Sequence, residues 1–203
     1  MNTASDERRA GWILTAIATT EGGWVLLNAL RSPMGFLRYI GVVDSGIEAA
    51  GWIAAAFVAI LFTAYAARLP SVRANLFALS LLKILALLVA LAAGLCEEAV
   101  FRKLLMDRLA QAHFGLAVQI VGSAAAFGVV HGVWGLFRGS VMAGLRATLA
   151  TGALGLALAV VFVISHRVLA PCIGAHMVIN ALAEPGLVLA AVRGEMSRAG
   201  AKA

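Results

Sequence analysis

Apolar stretches long enough to cross a bilayer follow one another along most of this chain, and no other property narrows its possible folds as far. A spanning helix takes about 20 apolar residues. The spans read from the sequence are Gly11–Leu30, Ile47–Ala67, Leu76–Cys96 with helix continuing to Leu109, Ala117–Leu136, Val141–Ile164 and Ala170–Val192. Breaks fall where Pro, Gly and Arg cluster: Arg31-Ser32-Pro33, Arg68-Leu69-Pro70-Ser71, His113-Phe114-Gly115, Arg138-Gly139 and Arg167 to Pro171. The first span is the weakest, because Glu21-Gly22-Gly23 interrupts it, and an interfacial or broken helix is expected there. No small-x-small cleavage site follows this run, so it reads as a retained helix rather than a signal peptide. The expected fold is all-α: a polytopic transmembrane bundle of about six helices forming one integral membrane domain over residues 1–203.

Composition agrees. The chain is 62% hydrophobic and 13% charged, with a mean hydropathy of +0.95, outside the range of soluble globular domains. The net charge of +6 comes from Arg and Lys scattered through the breaks, with no basic block. That is a membrane-topology signature, and no nucleic-acid partner is expected. With six spans the termini share a side, and the slight excess of loop Arg and Lys there favours a cytoplasmic N-terminus in a cell membrane, a bacterial cytoplasmic membrane if the source is bacterial. Cys96 and Cys172 lie in apolar segments and read as reduced, space-filling thiols. Small residues crowd the fourth and fifth spans, in Gly122-Ser123-Ala124-Ala125-Ala126 and Thr151-Gly152-Ala153-Leu154-Gly155, as suits helices whose backbones approach closely in lipid.

Against this background three polar groups stand out, since a charge at a helix centre costs roughly 2.5–3.5 kcal/mol even on insertion scales. They are Glu97-Glu98 with Arg102, His131, and His176 with Asn180. Glu98 and Arg102 are i and i+4 and can pair on one helix face, which leaves Glu97 turned away without a local cation. His131 has Phe127 one turn earlier, and His176 and Asn180 share one side of the last helix. Taken singly, each has an ordinary explanation: a solvated helix end, a structural histidine, interhelical polar glue. Depth connects them. Measured from a turn near Gln111–His113, Glu97 lies roughly 22 Å before and His131 roughly 28 Å after at 1.5 Å rise per residue, so the side chains can meet. A carboxylate, two imidazoles, an amide and an ion pair in one small bundle suit a hydrolytic site with a base, oxyanion donors and an orienting pair.

Glu97-Glu98-x-x-x-Arg102, Phe127-x-x-x-His131 and His176-x-x-x-Asn180, in that order on successive apolar segments, resemble the three-motif signature of the CAAX protease and bacteriocin-processing (CPBP) family of glutamic intramembrane proteases. The resemblance covers roughly Ala90 to Leu189, a catalytic core of about 90–190. It implies an intramembrane endopeptidase in which Glu97, helped by His131, deprotonates a water that attacks a peptide carbonyl while His176 and Asn180 donate to the oxyanion. Glu98 with Arg102 would hold the helix geometry, and Phe127 would support the ring of His131. The implied substrate is a peptide or protein presented at the lipid bilayer, membrane-associated or bearing a leader or tail.

Other chemistries fit the residues less well. There is no His-Glu-x-x-His and no Gly-x-Gly-Asp. A Ser/His dyad from Ser123 and His131 would put both members on one helix, eight residues apart. No cofactor is expected. Glu97, His131 and His176 could ligate a catalytic zinc, but zinc-binding histidines need acceptors for their second ring nitrogen, and the neighbours Val129, Val130, Met177 and Val178 supply none, so no metal is expected. The remaining alternative is a catalytically silent relative, an immunity or scaffold protein or an ion or proton relay using the same polar cluster.

Overall fold

The computed structural model describes residues 3–43 and 49–198, and every regular element among them is helical. In chain order these are α1 (Thr3–Arg31), α2 (Pro33–Tyr39), α3 (Ala49–Ala66), α4 (Pro70–Asn75), α5 (Leu81–Glu98), a π-helical segment (Ala99–Leu105), α6 (Met106–Gln111), α7 (Leu116–His131), a 3-10 segment (Gly132–Arg138), α8 (Val141–Ile164), α9 (Ala170–Arg193) and α10 (Glu195–Arg198). Among the described residues six spans are long and apolar enough to cross a membrane: Ala4–Arg31, Ala49–Ala66, Leu81–Gln111, Leu116–Gly135, Val141–Ile164 and Ala170–Arg193. They match the six expected from the sequence, although the expected start of the second, at Ile47, lies outside the described residues. Side chains such as Ile53, Phe57, Leu87 and Leu149 remain exposed on the outside of the bundle, where lipid is the solvent. The first and last spans run in opposite directions, and Arg193 approaches Asp6 at 3.8 Å near the two ends of the chain.

Two boundaries differ from the sequence reading. The first span is not broken: α1 runs straight through Glu21-Gly22-Gly23. Two glycines cost about 1 kcal/mol each in a helix interior, less than the several kcal/mol of leaving backbone groups unsatisfied in hydrocarbon. Gly22 also packs on α5, where an added Cβ would stand 3.8 Å from the Ala92 Cβ. The third span starts at Leu81 rather than Leu76, because Pro70 opens the short α4 and Ser80 caps α5, its hydroxyl accepting from the Lys83 amide at 3.2 Å.

The long helix through Glu97 and Glu98 does not stay α-helical as a periodicity argument assumes. Residues Ala99–Leu105 widen into a π-helix, a form that often marks functional sites. Its carbonyls find partners outside the helix: Tyr39 Oη donates to the Ala99 carbonyl at 3.2 Å, and Ser123 Oγ to that of Phe101 at 2.9 Å. Burial and the Asp107 carboxylate raise the Tyr39 phenol above its ordinary range, which keeps it a donor.

A comparable compensation holds α9. Pro185 lies inside this helix and has no N–H for the Ala181 carbonyl. Lys83, buried on α5, reaches across and donates from Nζ to the carbonyls of Ala181 (2.9 Å), Leu182 (3.2 Å) and Leu76 (2.8 Å).

Small residues bring α7 and α8 together as expected. A Cβ at Gly128 would stand 2.5 Å from the Thr148 carbonyl oxygen and 2.9 Å from the Gly152 Cα. Both obstacles are backbone, so the helices would have to part. Gly128→Ala is expected to destabilise the protein by about 1–3 kcal/mol, the usual cost of overpacking, read as a lowered Tm in detergent. An unchanged melt would mean that α7 has room to shift.

Candidate active site

Glu97, Glu98, Arg102, Phe127, His131, His176 and Asn180 come from α5 with its π-helical extension, α7 and α9, and the fold brings them into one cluster. Glu98 and Arg102 form the expected i,i+4 pair, Oε2 to Nε at 3.0 Å, with both side chains fully buried. The other Glu98 oxygen has a partner the sequence did not suggest: His176 Nδ1 donates to Oε1 at 2.7 Å. Arg102, Glu98 and His176 are therefore one buried chain of interactions, and Glu98 orients an imidazole as well as steadying its own helix.

His131 is oriented in the same manner by a backbone group. Its Nδ1 lies 2.7 Å from the Phe127 carbonyl oxygen, and since the carbonyl can only accept, Nδ1 carries the proton. With both Nδ1 atoms engaged, the two rings turn Nε2 toward one carboxylate. Glu97 Oε2 is 3.8 Å from His131 Nε2 and 3.7 Å from His176 Nε2. Phe127 packs against three of the site residues: its ring centroid is 4.5 Å from that of His131 and 5.8 Å from that of His176, and the Arg102 guanidinium lies 4.4 Å above its face.

The acceptors on both histidines correct the sequence reading on one point. Phe127, through its main chain, and Glu98 supply what the apolar neighbours of the two rings lacked, so the objection to zinc that rested on missing acceptors does not stand. Among the described residues no three His, Cys, Asp or Glu side chains are grouped as a metal site.

Two further carboxyls belong to this neighbourhood. Glu21 lies on α1, which packs on α5, and its Oε2 is buried without a hydrogen-bond partner among the described residues, as is that of Glu97. Glu184 is buried on α9 one turn beyond Asn180. Both could have been suspected from the sequence, Glu21 as an acid inside an apolar span and Glu184 as the next step of the His176, Asn180 spacing of four. A cavity of about 870 Å³ reaches the cluster at His131, Asn180 and Glu184, and Arg68 and Arg146 also line it. Adjoining it, a second space of about 500 Å³ is walled by apolar residues of α3 and α8, including Val58, Leu61, Leu149 and Ala153.

Residues 79–182, just over half of the chain, match a family model described as type II CAAX prenyl endopeptidase, Rce1-like. No curated protein and no solved structure matches.

Proposed function

Starting from the fact that this multi-pass membrane chain belongs to the Rce1-like family of type II CAAX prenyl endopeptidases, we propose that it hydrolyses a peptide bond of a membrane-associated substrate in the cell membrane with a water activated by Glu97. The observation that carries this is the convergence of two oriented imidazoles on one Glu97 oxygen, at 3.8 and 3.7 Å. These separations are too long for direct hydrogen bonds and suit an oxygen held between the three groups.

In this reading His131, with its proton on Nδ1, presents the Nε2 lone pair and holds the water beside Glu97. The carboxylate takes a proton as the water oxygen bonds to the substrate carbonyl carbon, and that proton goes on to the leaving amine. Asn180, on the cavity wall, donates to the oxygen that becomes negative. His176 joins it as a donor from Nε2 in its doubly protonated form, since its Nδ1 proton is engaged by Glu98. Glu98, Arg102 and Phe127 support the geometry without touching substrate. The apolar space between α3 and α8 offers a lipid-linked peptide a lateral approach to the larger cavity.

The test is cleavage of a farnesylated peptide with a C-terminal Cys-aliphatic-aliphatic-X sequence by the purified protein in detergent. Asn180→Ala should lower kcat by about 10²–10³, the usual loss for one oxyanion donor, with an unchanged Tm. A defect confined to KM would assign Asn180 to substrate binding instead. His176→Ala should lower kcat as far and also lower the Tm, because it strips Glu98 of one of its two partners.

Metal independence is a separate expectation. Exhaustive chelation should leave turnover intact, and activity lost on chelation and restored by stoichiometric Zn²⁺ would replace the glutamate mechanism with a metalloprotease built on the same residues. The relay or scaffold reading is distinguished by Glu97→Asp: a relay tolerates the shortened side chain in part, whereas a base that must reach a fixed water does not.

A further inference from the structure

Glu184 belongs to none of the three motifs and lies just beyond the matched segment, which ends at residue 182. It follows Asn180 by four residues on α9, which puts it on the same helix face and about 6 Å further along the axis. Its side chain is 8% exposed, and it lines the large cavity together with His131 and Asn180. Among the described residues no hydrogen bond or ion pair engages it, yet neither of its oxygens is sealed in, and the space beside them is the cavity. The other acid on that wall is already held: Glu195 accepts from the Ser71 amide at 3.1 Å and from its hydroxyl at 2.6 Å. Burying a carboxyl without a partner is costly, so Glu184 is left to a donor that enters the cavity.

Hydrolysis creates such a donor. The amide nitrogen leaves with the proton that Glu97 drew from the water and then takes up the proton of the newly formed acid. One neutral peptide bond and one water thus become a carboxylate and an ammonium. With the scissile carbonyl oxygen at Asn180, a carboxyl one turn away repels the first and attracts the second. We infer that Glu184 binds the freed amino terminus of the leaving peptide, and that the stretch of cavity running from Asn180 to Leu187 is the subsite of that product. The inference rests on the function proposed above and deepens it. The amide of the intact substrate is neutral and gains little from Glu184, whereas the ammonium gains a charge-assisted hydrogen bond. The acyl product with its lipid keeps to the apolar space between α3 and α8, which Glu184 does not line.

The test uses the tripeptide Val-Leu-Ser, the kind of segment that follows cysteine in the farnesylated peptide, with its amino terminus free or acetylated. Calorimetric titration into the purified protein in detergent at neutral pH needs no turnover. Wild type should bind the free tripeptide about 10–10² more tightly than the acetylated one, the range of a hydrogen bond to a charged group. Glu184→Gln keeps the size of the side chain and should lose that preference, with the acetylated tripeptide bound as in wild type. In turnover, the free tripeptide should inhibit wild type with a Ki that rises by the same factor in Glu184→Gln, while KM for the farnesylated peptide stays unchanged. Equal binding of the two tripeptides by wild type overturns the inference without any variant having to fold. So does a preference that survives in Glu184→Gln, or a variant that weakens both tripeptides alike, which would make Glu184 part of the cavity's structure only. If the farnesylated peptide is not cleaved but wild type prefers the free tripeptide and Glu184→Gln does not, the ammonium site stands and the peptidase reading fails on its own account.

Discussion

Glu97→Gln abolishes turnover, with an expected loss of about 10⁴ in kcat, the upper end of what a positioned general base contributes, while the protein purifies folded and melts near the wild-type temperature. The substitution is isosteric and removes only basicity. The fold should tolerate it because Glu97 Oε2 has no hydrogen-bond partner among the described residues, so the amide breaks no bond that the carboxylate oxygen makes there. Glu98→Gln should behave differently, because Glu98 is bound on both oxygens, to Arg102 and to His176: it is expected to lose stability along with activity. Purified variants assayed side by side against the farnesylated peptide, with circular dichroism melts on the same samples, separate the two. Activity retained in Glu97→Gln would remove Glu97 from the role of base.

Arg102→Ala is expected to act first on the fold. Both members of the Glu98–Arg102 pair are fully buried, and removing one partner of a buried pair strands the other at a cost on the order of 3–5 kcal/mol. The loss should appear as reduced expression and a much lower Tm, with turnover falling in parallel because Glu98 also orients His176. A double variant, Arg102→Met with Glu98→Gln, removes the stranded charge and should recover much of the melting temperature without recovering activity. If Arg102→Ala melts normally and changes only kinetics, the guanidinium serves water or substrate and not the fold.

Spacing along the chain carried much of this site. Intervals of four residues put Phe127 with His131 and His176 with Asn180 on regular α-helices, and the Glu98–Arg102 pair persists although the helix widens between its members. What spacing does not carry is which atoms meet between helices. The Phe127 carbonyl that orients His131 is main chain and leaves no mark in the sequence, and the hydrogen bond from His176 to Glu98 joins residues 78 positions apart. The π-helical segment was hidden for a related reason, since it is held by hydroxyls of Tyr39 and Ser123 on other helices. The break expected at Glu21-Gly22-Gly23 rests on local propensity: two glycines suggest an interruption, but hydrocarbon enforces helix, and α1 runs unbroken through them.

Lys83 and Pro185 have a meaning in related chains that neither has alone. The ammonium is tolerated within the bundle because a proline on another helix frees a carbonyl for it to hold, and the freed carbonyl is tolerated because the ammonium is there. In a homologue with an ordinary helix-forming residue at the position of Pro185, the carbonyl of residue 181 returns to its own helix and a lysine at 83 loses one of the three carbonyl acceptors that hold it. The two positions are thus expected to vary together in descent, with lysine giving way to an apolar residue where the proline is lost.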